Sequence, residues 1–183
     1  MTLVTTVAPE NATGIIKEGY DMFMKNVGTI PQPMRLMSLS PALFELQLKR
    51  IQYFSKHPKL SFALLVHIRY LASKTLDYGY CMDLNLHFLK KLGYDDEALR
   101  MMEEDPGKSM LEENESTMLD FVIRAIKKPD SITPEDMAEL KEQGYEEQDM
   151  LEALAQGVGM IDHAIMMQVF RIDQNCEVAY TSP

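Results

Sequence analysis

The sequence predicts an all-α fold, on three observations. Apolar residues recur at three- and four-residue spacings along most of the chain, the period of one helix face. No stretch keeps the apolar–polar alternation of a half-buried strand. Start and stop signals such as Ser40-Pro41, Thr133-Pro134, Gly93 and Gly144 fall at the ends of the periodic segments. Seven or eight helices in two related hairpin layers are expected, within one domain over residues 1–183 whose ends, 1–12 and 173–183, are irregular tails.

Residues 1–12 are polar and unpatterned, a mobile lead-in. A first helix is expected from Thr13 to Asn26, with Ile15, Ile16, Tyr20, Met22, Phe23 and Met24 as its apolar positions. Gly28 through Pro33 ends it, since neither proline suits a helix interior. Ser40 caps the next helix and Pro41 takes its first position. There Phe44, Leu48 and Ile51 form one stripe, with Leu43 and Phe54 beside it, until His57-Pro58 closes it.

Leu60–Leu76 is apolar on most sides and reads as a buried central helix, interrupted by Ser61, His67, Arg69, Ser73 and Lys74. Asp77 is placed to cap a second helix that runs to Lys91 and stops at Gly93. The run Gly93-Tyr94-Asp95-Asp96 has a close cousin in Gly144-Tyr145-Glu146-Glu147. In both, glycine suits a left-handed helix end and the acidic pair suits the next helix start, as in two hairpins of one make. Asp105-Pro106-Gly107-Lys108 is a break, and a helix from Glu112 to Lys127 follows, ended by Pro129. Thr133 to Asp136 opens a short helix with capping chemistry. The last helix, Glu147 to Ile172, keeps Leu151, Leu154, Val158, Ile161, Ile165 and Val169 in register, which suits a core or an oligomer contact.

Bulk composition narrows the function classes. The chain is 46% hydrophobic and 25% charged, as in ordinary globular proteins. A formal net charge of −10 with scattered basic residues offers no stripe to track phosphates, so neither nucleic acid nor an anionic membrane surface is an expected partner. No segment approaches the roughly 20 apolar residues of a membrane span, and the first residues lack a secretory signal's basic and apolar regions. Cys81 and Cys176 form no close-spaced pair, which excludes a disulfide framework and points to a reducing cytoplasm. Fifteen methionines and no tryptophan suit a helical core with irregular gaps, or a malleable pocket or oligomer surface.

Chemistry centres on the junction before the second helix. Cys81 falls in its first turn, where the positive helix end favours thiolate, although Asp77 nearby opposes it. Tyr78, Cys81 and Asn85 share one helix face. No two histidines stand at helical ligand spacing, no glycine loop cradles phosphate and no serine nucleophile motif is present, so no metal and no cofactor is expected.

This run, Tyr78-Gly79-Tyr80-Cys81-Met82-Asp83-Leu84-Asn85, resembles the Cys-x-x-Cys-x-x-x-His site of the alkyl hydroperoxidase AhpD-like / carboxymuconolactone decarboxylase family. Gly28-Thr29-Ile30-Pro31, Ser40-Pro41-Ala42-Leu43 and Ser131 through Tyr145 resemble further family segments in the same order, so the resemblance covers Glu18 to Ile172. It implies an AhpD-like helical fold and a homo-oligomer, a dimer or a ring. It also implies that Cys81 stands for the peroxide-attacking cysteine and Tyr80 for the aromatic residue before it. Tyr78 stands where the resolving cysteine would be, Asn85 replaces the histidine, and Val66 lies near the expected glutamate. His67 lies near the start of the family's proton relay, and His163 sits where related sequences place polar pocket residues.

Three functions follow. The first is a peroxidase-related antioxidant protein with a degenerate redox site, any activity being one-cysteine thiol chemistry at Cys81. The second is a lyase acting on a small carboxylated lactone. The third is a non-catalytic oligomer that binds a small molecule or serves as a scaffold.

Overall fold

The structure, a computed structural model, describes residues 2–77 and 79–172. Among them are nine α-helices and no strand. The helix beyond the expected seven or eight is the short α2. The described chain forms two compact units, one ending at Lys56 and resuming at Ile165, the other spanning His57–Ala164.

In the first unit lie α1 (Gly14–Val27), α2 (Gln32–Met37) and α3 (Pro41–Phe54). Ile16, Tyr20 and Phe23 of α1 meet Met34 of α2 and Phe44 and Leu48 of α3 in one apolar core. Gly19 allows this closeness, since a Cβ there would run into the Phe44 ring. The α2 helix escapes a sequence reading because prolines bracket its start. Pro31 caps it and Pro33 sits in its first turn, where a missing amide costs nothing. The lead-in is tied to this unit at Val7. Val7 N–H donates to Ser38 Oγ at 3.0 Å, and the Tyr20 hydroxyl donates to the Val7 carbonyl at 3.0 Å.

The second unit holds α4 (Phe62–Lys74), α5 (Gly79–Lys91), α6 (Asp96–Glu104), α7 (Glu113–Lys127), α8 (Pro134–Glu142) and most of α9 (Glu147–Val169). The α4 helix is central, packed on α5 and α7, with Leu64, Val66 and Ile68 fully buried. The cap signals are realised. Ser40 and Ser61 accept the amides of Leu43 and Leu64, Asp95 accepts that of Ala98, and Thr133 and Asp136 form a reciprocal capping box.

The two hairpin turns repeat bond for bond. Gly93 (φ 97°) and Gly144 (φ 92°) are left-handed. Tyr94 N–H reaches back to Leu89 O at 3.1 Å, and Tyr145 N–H to Leu140 O at 3.1 Å, each pairing a buried tyrosine with a buried leucine in a Schellman end. Asp77 departs from its expected role. Its own φ is 49° and its N–H donates to Lys74 O at 3.3 Å, so it closes α4, and α5 begins two residues later.

The choice of face on α9 also differs from what its branched residues suggest. Leu151, Val158, Ile165 and Val169 are exposed. Buried instead is the stripe one residue earlier, Met150, Ala153, Gly157, Met160 and Ala164. A Cβ at Gly157 would meet Ile126 Cδ1 at 2.7 Å and Val122 Cγ1 at 3.0 Å, so small residues let α9 approach α7 closely. Methionine fills the core as composition suggests, at Met102, Met118, Met150 and Met160, while Met24, Met101 and Met110 are exposed. No helix among the described residues is long and apolar enough to cross a membrane.

A third Schellman end closes α9, with Ile172 N–H on Met167 O at 3.0 Å, but an arginine takes the glycine position: Arg171 has φ 51°. Left-handed backbone is costly for a residue with a Cβ. Arg171→Gly is therefore expected to stabilise the protein by about 0.5–1 kcal/mol, read as a higher Tm in thermal melts.

Candidate functional site

The first turn of α5 carries Tyr80 and Cys81, and one turn later comes Asn85; all three are buried, with Cys81 at 5% exposure. Tyr78 and Cys176 lie outside the described residues. The Asn85 amide Nδ2 donates to the Cys81 carbonyl at 2.7 Å, a bond between consecutive turns. Its Oδ1 accepts from Arg69 Nε of α4 at 3.0 Å. The expected shared face of Cys81 and Asn85 is thus present, and α4 contributes its third member.

Sequence reasoning passed over Arg69 as one of several polar interruptions in the central helix. An arginine in the middle of a helix that is otherwise mostly buried was the available signal. Burial pulls its pKa down to about 10, opposed by the charge of the Cys81 thiolate. The attraction is mutual, so the guanidinium favours the thiolate form of Cys81. The Arg69 guanidinium also lies over the Phe62 ring, 5.8 Å from its centroid, and Phe62 meets Phe88 edge to face at 5.3 Å. Phe62 opens α4, Arg69 follows two turns later on the same side, and Cys81, Asn85 and Phe88 line the facing side of α5.

The histidines are placed differently. His67 Nδ1 is 2.7 Å from the Ala63 carbonyl, which can only accept, so this nitrogen carries the proton. Nε2 then accepts from the Tyr94 hydroxyl at 2.7 Å, and the Tyr94 oxygen accepts Met110 N–H at 2.5 Å. With both nitrogens engaged, His67 is a structural tie between α4 and the turn after α5. His163 is buried on α9. Val66 is fully buried at the position near which the resemblance expects glutamate.

His57 has a side chain only 1% exposed. With Asp149 and Glu152 it brings three ligand-type atoms within 4.8 Å of one another. Their existing bonds do not fit a metal. His57 Nδ1 accepts the amides of Leu60 and Lys59, which puts its proton on Nε2, facing Glu152 at 2.7 Å. Lys59 Nζ lies 3.1 Å from Asp149. Binding a metal through Nε2 would move the imidazole proton onto Nδ1, against those two amides.

No family model matches the sequence, and no curated protein does. Solved structures do match. Two are peroxidase-related proteins, an alkylhydroperoxidase AhpD core from Ralstonia eutropha JMP134 and a second from Silicibacter sp. TM1040, each with a TM-score of 0.80, at 15% and 13% identity. They cover 97% and 98% of this chain, and 94% of each of those chains is covered. The chain has the AhpD-like fold. The debrominase Bmp8 shares it: a cysteine-to-alanine variant in complex with 2,3,4-tribromopyrrole has a TM-score of 0.74 at 17% identity, over 96% of this chain and 92% of that one.

Two outcomes follow from the Tyr94–His67 tie. Tyr94→Phe strands the Met110 amide and His67 Nε2 and is expected to cost about 1–3 kcal/mol in denaturant unfolding. Tyr145→Phe, at the matching turn, removes a buried hydroxyl that has no partner among the described residues, so a change near zero or a slight gain is expected. Acid gives the second readout. Burial holds His67 below its ordinary pKa of 6.5, with the Ala63 carbonyl working the other way. Below that pH the unfolded chain gains a proton that the folded chain refuses, so stability present above 6.5 is lost as pH falls. Melting temperatures of His67→Gln should fall less steeply with acid than those of the parent protein.

Proposed function

We propose that the protein is a thiol-dependent peroxide reductase of AhpD-like fold in which Cys81 works as the one nucleophilic cysteine. The observation that carries this reading is the Arg69 guanidinium, held by Asn85 and charge-coupled to the Cys81 sulfur. A buried thiol is ordinarily inert, because burial disfavours its anion. A cation beside it opposes that burial effect, and the first-turn amides of α5 act in the same direction as the cation.

In this reading the Cys81 thiolate attacks one oxygen of a hydroperoxide. An S–O bond forms, the O–O bond breaks, and the leaving alkoxide takes a proton from water. Arg69 offsets negative charge on the sulfur before attack and on the leaving oxygen during it. Cys81 is left as sulfenic acid. Position 78 is a tyrosine, so the resolving thiol comes from outside. One external thiol condenses with the sulfenic acid and releases water. A second then displaces Cys81 and leaves as the reductant's disulfide.

Debromination is the second reading, favoured by the debrominase that shares the fold. Bromide release from 2,3,4-tribromopyrrole that depends on Cys81 and on added thiol, without peroxide consumption, would select it.

Hydroperoxide consumption with excess small-molecule thiol is the direct test. Activity should vanish in Cys81→Ser and persist in Cys176→Ser. In Arg69→Met the thiolate titration of Cys81, followed by ultraviolet absorbance, should move up by about 1 pH unit, with kcat/KM lowered about tenfold. Peroxide turnover that survives Cys81→Ser would overturn the reading.

A further inference from the structure

We propose that Arg69 and the exposed Phe62 ring form a subsite for a carboxylate borne on a small aromatic or apolar body, which places the rest of that molecule toward Cys81. The inference rests on the site proposed above and names the class of molecule it takes.

The arginine's bonding is the first ground. Arg69 spends its Nε on a neutral amide, Asn85, and its face on Phe62. Among the described residues no carboxylate lies against it. That is notable in a chain with 28 acidic residues against 18 Lys and Arg. Several other cations of this unit are matched by carboxylates: Arg124 bonds Asp120 and Asp136, Lys74 bonds Glu103 at 2.6 Å, and Lys59 bonds Asp149. The two clefts of about 470 and 390 Å³ elsewhere in this unit contain the first two of these satisfied groups. At Arg69 the terminal N–H fork is left for a planar anion, whose two oxygens it matches bidentately.

The aromatic shelf is the second ground. Phe62 is 56% exposed although it abuts the buried end of the site, and its edge contact with Phe88 fixes the ring. The bond from Nε to Asn85 and the position over the Phe62 ring restrain the guanidinium, so fewer rotamers are lost when an anion binds. A ring or short apolar chain attached to the carboxylate would cover the remaining Phe62 surface. One guanidinium without a second cation suits a monoanion better than a phosphate dianion. The occupant is thus an aryl or alkyl carboxylate, and in the proposed reaction a hydroperoxide that carries one.

Benzoate, benzamide, acetate and phenyl phosphate, titrated calorimetrically into the full-length reduced protein in low-chloride buffer, test this directly. Benzoate should bind at least about tenfold more tightly than benzamide, which has the ring without the charge, and more tightly than acetate or phenyl phosphate. Arg69→Met should erase the preference for benzoate over benzamide. Phe62→Ala, at an exposed position that leaves folding intact, should weaken benzoate while leaving acetate unchanged. Cys81→Ser should bind benzoate as the parent does, so a failed thiol chemistry and a failed subsite give different results. Equal binding of benzoate and benzamide, tighter binding of phenyl phosphate, or a benzoate preference that survives Arg69→Met would overturn the proposal.

Discussion

A guanidinium held by a side-chain amide and charge-coupled to one sulfur is the constraint on which the site depends. Arg69 comes from the central helix α4, while Asn85 and Cys81 come from α5. The bond between Arg69 and Asn85 is therefore also a bond between the two helices. Burying a guanidinium is costly, and its depressed pKa records that cost. An arrangement that only had to pack would place a leucine there, as it does at Leu64 and Leu71 on the same helix. Retaining a cation in that position makes chemical sense when an anion belongs nearby, and the thiolate of Cys81 is one such anion.

Much of the fold was legible because it is written in local signals. Ser40, Thr133, Asp95, Gly93 and Gly144 each act through their own turn of backbone, so residue type at a given offset suffices to place the helix ends. What escaped was set by tertiary context. The α2 helix looks like a proline break until its prolines are seen at the start and not in the middle. On α9 the branched residues advertise one face, but close helix packing selects the neighbouring face of Ala153, Gly157 and Ala164, whose virtue is small size. Asp77 has the right chemistry for a cap and the wrong backbone angle.

The candidate site was half legible, for the same reason. Cys81 and Asn85 lie four residues apart on one helix, a relation that spacing reveals. Arg69 reaches them across a helix–helix contact, which spacing cannot reveal. His67 shows the converse. Its place in the chain suggested a relay, yet the Ala63 carbonyl and the Tyr94 hydroxyl take both nitrogens. The likeness to peroxidase-related proteins and to a debrominase at low identity agrees with this division. One helical frame can carry different chemistries, so the fold alone does not choose among them.

The distribution of sulfur has a bearing on survival under oxidative stress. Thioethers at Met102, Met118, Met150 and Met160 are sealed in the interior, while those at Met24, Met101 and Met110 face water. A dissolved oxidant meets the outer set first and converts flexible apolar chains into polar sulfoxides where no core packing is lost. Oxidation of the outer methionines therefore leaves the packing between the helices in place.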